Sequence, residues 1–328
     1  MRTPEVFPLT VVVPSYQRPD SALRAIRSLQ EQDGVLEILL VDNACSSALC
    51  DAIAQLNAGA RHQVRWIPEP RLGLHHARHT GARNAQSDLI AFTDDDATFD
   101  RGWAHAYIAS FAAHPEMAAA GGPSLVAWDA PPPEWLRDWV DRQRSCFQLS
   151  VRDLGPEFRL GPNEMFWGVN MAIRREALFA AGGFNPELFG DRSVGDGEVG
   201  LYGRLLDAGA LIGYVPEACV HHHVPPARMS AKYLRRRMRN EGGVDVYCLL
   251  RDTKSAAAPY LRRLAMRNAL AAAAAWAIAA PLRWSRSYYP LWIQLLAERF
   301  TGRVACACHA LFDADFRHEL LRDDGLTV

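Results

Sequence analysis

Hydrophobic positions along the first hundred residues alternate between two periods. The β-branched run Leu9-Thr10-Val11-Val12-Val13, closed by Pro14, predicts a buried strand over 9–13, and Leu23, Ile26 and Leu29 at helical spacing predict a helix over 21–32. The alternation recurs, with strands expected over 36–41, 64–67 and 89–93 and helices over 47–56 and 75–86. Strands and helices in strict succession imply a mostly parallel sheet with helices on both faces. Ligands of such sheets bind beyond the carboxyl ends of the strands. At those ends the chain carries Pro14-Ser15-Tyr16-Gln17-Arg18, Asp42-Asn43, Pro68-Glu69-Pro70-Arg71 and Asp94-Asp95-Asp96.

The pattern loosens over 123–162, where Pro131-Pro132-Pro133, Trp135 and Trp139 predict an irregular surface segment rather than regular sheet. It resumes with a strand over 168–173, a helix over 175–181 closed by Gly182-Gly183, a helix over 198–208 closed by Gly209, and a last strand over 211–215 ahead of His221-His222-His223. Past Val224-Pro225-Pro226 the chain turns helical and basic, with Lys232, Arg235, Arg236, Arg237 and Arg239 close together. The boundary therefore falls between a catalytic-sized domain over 1–225 and a helical region over 226–328. The apolar stretch 269–282 is interrupted by Pro281 and is shorter than the roughly 20 residues a spanning helix needs, so it reads as a packed or interfacial helix.

Composition narrows the partners. The 328 residues are 49% hydrophobic with a formal net charge of −1, which writes no general attraction for nucleic acid into the chain. Seven cysteines without a Cys-x-x-Cys pair fit neither a disulfide framework nor a zinc site, and residues 1–8 lack the apolar core of a signal peptide. These features lead to the expectation of a cytoplasmic protein.

Three adjacent carboxylates at a sheet mouth repel one another unless a cation holds them. A hard divalent ion such as Mg²⁺ or Mn²⁺, shared with phosphate oxygens, answers that need and brings a diphosphate substrate with it. A solvated acidic turn or a helix N-cap would account for the aspartates without any ligand.

The chain resembles the inverting family 2 glycosyltransferases of GT-A fold. The resemblance rests on Val12-Val13-Pro14-Ser15-Tyr16, Val41-Asp42-Asn43, Gly81-Ala82-Arg83-Asn84, Phe92-Thr93-Asp94-Asp95-Asp96, Gly168-Val169-Asn170-Met171-Ala172 and Gly195-Asp196-Gly197-Glu198 ahead of Arg204-Leu205. It implies a Rossmann-like, mostly parallel mixed sheet flanked by helices, with a helical C-terminal appendage. It further implies a nucleoside-diphosphate sugar donor, a UDP-sugar favoured, and a glycan, lipid-linked or small-molecule acceptor.

Under the resemblance Pro14, Ser15, Tyr16 and Arg18 line the nucleotide pocket, and Asp42 accepts a hydrogen bond from the base. Arg71 and Arg83 lie near the base or diphosphate, Asp94 and Asp95 near the ribose or donor sugar, and Asp96 is the most direct metal ligand, with Asp94 and His222 able to complete the shell. Inversion needs a base for the acceptor hydroxyl. Counting back from Arg204 selects Glu198, with Asp196 its rival because Gly197 stands where a first acid is expected. A sugar nucleotidyltransferase is the alternative enzyme, disfavoured by the absence of glycine from residues 14–18, and a catalytically inactive sugar-nucleotide-binding protein is the alternative outside enzymes. Trp135, Trp139 and Trp167 are candidates to stack on a sugar, and the basic, alanine-rich tail leaves peripheral contact at the inner membrane face, or a homodimer, open.

Overall fold

The computed structural model describes residues 8–326 apart from 35, 163, 187, 190, 191, 194, 254, 255, 323 and 324. Its main sheet opens with β1 (Leu9–Ser15), β2 (Leu36–Asp42), β3 (Val64–Pro68) and β4 (Leu89–Thr93), separated by α1 (Pro19–Leu29), α2 (Ser47–Asn57) and α3 (Leu74–Asn84). The short β5 (Ala97–Phe99) and α4 (Trp103–Ala113) follow, then β6 (Met117–Gly121) and β7 (Ser124–Trp128). Next come α5 (Glu134–Asp141), β8 (Ser145–Cys146), β9 (Val151–Arg152), β10 (Arg159–Gly161) and β11 (Asn170–Arg174). α6 (Arg175–Ala180), the ladder of β12 (Leu188–Phe189) with β13 (Arg192–Ser193), α7 (Val199–Asp207), β14 (Leu211–Tyr214) and β15 (Val220–Val224) complete the α/β part. The C-terminal part is helical: α8 (Ala231–Thr253), α9 (Ala258–Ala279), α10 (Tyr288–Phe312) and α11 (Ala314–Leu320).

The eight-stranded sheet runs β10-β14-β6-β11-β4-β1-β2-β3. β1 to β4 pair in parallel, while β11 lies antiparallel between β4 and β6. β1 and β2 are buried along their whole length, as strands covered by helices on both faces must be. Glu37 is buried on β2 because Thr10 and Arg65 each donate to its carboxylate at 2.6 Å and the Gln86 amide does so at 2.8 Å.

The segment 123–162 departs from its expected irregularity. It supplies β7, β8 and β9 to a second sheet ordered β5-β15-β7-β9-β8, and β10 to an edge of the first. Strands of two or three residues carry too few side chains to show a period, so their pairing partners define them. Asn170 joins the two sheets. Its oxygen accepts from Trp103 Nε1 at 2.9 Å and the Tyr107 hydroxyl at 2.8 Å, and its Nδ2 donates to the carbonyls of Pro123 at 2.8 Å and Ala218 at 2.7 Å. Gly122 is required beside it, since a Cβ there would lie 2.1 Å from the Ala218 carbonyl oxygen.

Candidate active site

The carboxyl ends of β1 and β4 meet at a cavity of about 570 Å³ lined by Pro14, Ser15, Tyr16, Arg18, Asn43, the aspartate triplet, His222 and Arg228. β1 ends at Ser15, and Gln17, at φ 54°, turns the chain so that Arg18 folds back over the triplet. Arg18 reaches Asp95 Oδ1 through Nη2 and Asp96 Oδ2 through Nη1, both at 2.7 Å. Arg228, from the turn after β15, adds a second contact to Asp96 Oδ2 at 3.1 Å. The expected need for cations at the triplet is met in part by guanidinium groups distant in sequence, Arg18 and Arg228. Burial pushes the Asp95 carboxyl up to about 7, with Asp96 and Asp94 adding to the rise against Arg18 and Ser15. Burial also opposes ionisation of Asp96, yet His222, Arg228 and Arg18 together hold it well below the usual carboxylate range.

Of the three histidines on β15, alternation sends only His222 into the cavity. His221 pairs with Asp100 at 2.9 Å and His223 with Asp129 at 2.8 Å. The His223 amide donates to the Asp96 carbonyl at 2.7 Å, which registers β15 against the triplet. His222 Nδ1 lies 2.8 Å from the Leu149 carbonyl, so that nitrogen carries the proton and donates. In the neutral ring Nε2 therefore aims a lone pair at Asp96 Oδ1, 3.2 Å away. The Arg228 guanidinium stands beside both acceptors, 3.4 Å from His222 Nε2 and 3.1 Å from Asp96 Oδ2, so one cation already serves the pair. Neighbouring ligands of an octahedral ion with bonds of about 2.1 Å stand about 3 Å apart, and a carbonyl fixing the far nitrogen is the usual support of a metal-binding imidazole. The pair Asp96 and His222 thus fits a divalent ion.

A second cavity, of about 580 Å³, adjoins the first and shares Leu74, Asp94, Ser150 and Arg237 with it. Its floor is Arg78, Gly168 and Glu198; its far wall is α8 and α10, through Asn240, Glu241, Val244 and Arg299. Arg78 is almost wholly buried and stands 3.7 Å from Asp94. A Cβ on Gly168 would meet Arg78 Nη2 at 2.2 Å and Glu198 Oε2 at 2.9 Å, so glycine lets the guanidinium and carboxylate close over the backbone. Burial raises the Glu198 carboxyl above its ordinary value, Arg78 and the Gly168 amide counteract, and Asp94 adds to the rise.

Both carboxylate candidates, Glu198 and Asp196, line the second cavity and differ in their partners. Asp196 lines the second cavity with little exposed surface: its Oδ2 accepts from Asn185 at 2.8 Å, Arg204 holds Asn185 at 2.9 Å, and its Oδ1 is buried with no hydrogen-bond donor among the described residues. Burial pushes Asp196 up to about 6. Asp42 is absent from the lining of both cavities, because its carboxylate accepts from the Ala44 and Ser46 amides at 2.8 Å and from Trp66; Asn43 lines the first cavity instead. Arg71 is turned onto Glu69 by bonds of 2.9 and 2.7 Å, and Arg83 is exposed at the end of α3; neither lines a cavity. Trp135 and Trp139 pack into the cluster between α5, α8 and α10, whereas Trp167 lines the second cavity.

Sequence reading missed Arg78, Arg228 and Glu241. For Arg78 a signal existed, since it falls on the buried stripe of α3 with His75 and Ala82, where an arginine needs a reason. Glu241, joined to Arg237 at 3.3 Å, is a further carboxylate of the second cavity.

The mixed sheet flanked by helices gathers carboxylates and guanidinium groups at its strand ends, over two joined cavities, as a GT-A fold would. Glycosyl transferase family 2 matches residues 10–179, and the chain belongs to that family. It is similar to succinoglycan biosynthesis protein ExoM of Rhizobium meliloti, at 24% identity over 73% of this chain and 74% of that protein. It is also similar to the glucosyl-dolichyl phosphate glucuronosyltransferase of Haloferax volcanii, at 26% identity over 46% of this chain and 47% of that one. Among solved structures, that of GalNAc-T7 with UDP, GalNAc and Mn²⁺ superposes with a TM-score of 0.51 at 17% identity, covering 73% of this chain and 48% of that one. The chain is a glycosyltransferase.

Proposed function

We infer that the enzyme moves a sugar, with inversion, from a nucleoside-diphosphate sugar in the first cavity to an acceptor hydroxyl in the second. The observation that carries this reading is the junction: Asp94 and Arg237 line both cavities, and Glu198 faces the second beside Asp94's partner Arg78. Pro14, Ser15, Tyr16 and Asn43 form the nucleotide end. Arg18, Arg228 and Arg237 are the cations available to the diphosphate. Glu198 takes the proton as the acceptor oxygen bonds to the anomeric carbon, and the bond to diphosphate oxygen breaks with its electron pair leaving on the nucleotide. A raised carboxyl suits a base working near neutral pH. A divalent ion held by Asp96 and His222 would offset charge on the leaving diphosphate. Asp94 is assigned to the donor sugar, and Asp95 to orienting Arg18.

The helical region 226–328 supplies the acceptor wall, consistent with a lipid-linked glycan, polysaccharide or small natural product as acceptor. UDP with Mn²⁺, the pair bound in GalNAc-T7, is the first donor chemistry to test. A thermal-shift comparison of nucleoside diphosphates with and without Mn²⁺ should give a metal-dependent rise for one nucleotide in the native enzyme and none in His222→Ala. An equal rise without metal would remove the ion from the account.

A further inference from the structure

The buried side of α9 is used up by the helical bundle: Leu261, Leu264, Ala265, Ala272, Ala275 and Ala279 face inward, and Trp276 donates to Thr301 on α10 at 2.9 Å. Its outer side is not the polar face a solvated helix presents. Arg262, Arg263 and Arg267 stand exposed at the N-terminal end, and Met266, Leu270 and Ile278 are 69%, 74% and 58% exposed along the same stripe, with alanines between them. At the other end, Trp284 and Tyr289 are 77% and 75% exposed, and Arg283 stacks on Trp284 at 4.8 Å. From Thr253 to Ala297 the sequence has no acidic residue. Among the described residues no helix is long and apolar enough to cross a membrane.

We propose that the outer face of α9, with the Trp284 and Tyr289 turn, is a docking surface for an anionic phospholipid bilayer. Arginines meet phosphate headgroups, the Met266, Leu270 and Ile278 stripe enters the acyl boundary, and the aromatic rings sit at headgroup level. A second copy of the chain fits poorly, because two such faces would bring arginines together with no carboxylate to pair them. This surface is separate from both cavities, so its test leaves the transfer reading untouched.

The full chain is sedimented with vesicles of phosphatidylcholine alone and of phosphatidylcholine with phosphatidylglycerol. Binding should require phosphatidylglycerol and be lost near 1 M salt, where screening acts over about 3 Å. Arg262→Gln/Arg263→Gln/Arg267→Gln should weaken it by about five-fold per arginine, roughly a hundred-fold together. Leu270→Ser/Ile278→Ser should weaken it as well, and both variants should keep the native melting temperature because all five side chains are exposed. Native protein that stays in the supernatant with phosphatidylglycerol vesicles overturns the proposal, as does binding that survives high salt and appears equally on phosphatidylcholine. A dimer that dissociates in Leu270→Ser/Ile278→Ser, without vesicle binding, would overturn it in favour of a second copy.

Discussion

Replacing Asp196 by asparagine should stabilise the enzyme, with a pH dependence that identifies the cause. The side chain is buried, its Oδ1 has no hydrogen-bond donor among the described residues, and burial raises the carboxyl to about 6. Between pH 4 and 6 the folded chain thus holds a proton that the unfolded chain has released. The wild-type carboxyl is cost-free below pH 4, and stability is lost as pH rises through 6. A displacement of about two units corresponds to about 3 kcal/mol above pH 6, an upper value because the site relaxes on ionisation. The amide introduced by Asp196→Asn carries no charge at any of these pH values and keeps the oxygen that accepts from Asn185. Urea unfolding of Asp196→Asn and wild type at pH 4.5, 6 and 7.5 should show a stability difference of about 1 kcal/mol at the lowest pH, rising toward about 2 to 3 kcal/mol at the highest. A variant less stable than wild type at pH 7.5, or a difference independent of pH, would refute the assignment of Asp196 as a buried, poorly solvated carboxylate.

Other consequences are equally open to measurement. Asn170→Ala strands two carbonyls, an indole N–H and a phenol at the joint of the two sheets, and should cost about 4 kcal/mol in chemical denaturation; a loss under 1 kcal/mol would contradict the joint. Gly168→Ala pushes Arg78 and Glu198 apart and should lower kcat at least ten-fold while nucleotide affinity holds; loss of nucleotide affinity instead would mean that this glycine serves the donor cavity.

The parallel strands β1 to β4 were legible because each is a short, mostly apolar run ending in polar residues or proline, and the first cavity opens at the ends of β1 and β4. Glu198 and His222, which the family resemblance singled out by register, line the second and the first cavity respectively. Arg18 was named, yet its partners Asp95 and Asp96 lie far along the chain, and no local pattern foretells a pairing across a sheet edge. The same holds for Arg228, which reaches Asp96 only because β15 registers beside β5. Asp42, to which the resemblance gives the nucleotide base, has its carboxylate turned onto the Ala44 and Ser46 amides of the next turn, a contact that no local pattern distinguishes from ligand binding. The second cavity was least legible, since its wall comes from helices that meet residues 165–169 and 195–199 through tertiary packing alone.

The central claim is that Glu198 deprotonates the acceptor and Asp196 only supports it. With the donor found by thermal shift, release of nucleoside diphosphate by wild type, Glu198→Gln and Asp196→Asn tests it most directly. The account predicts a loss of about 10² to 10⁴ in kcat for Glu198→Gln, with KM for the donor little changed, and activity within a few-fold of wild type for Asp196→Asn. Normal turnover by Glu198→Gln, or a dead Asp196→Asn enzyme, would contradict it.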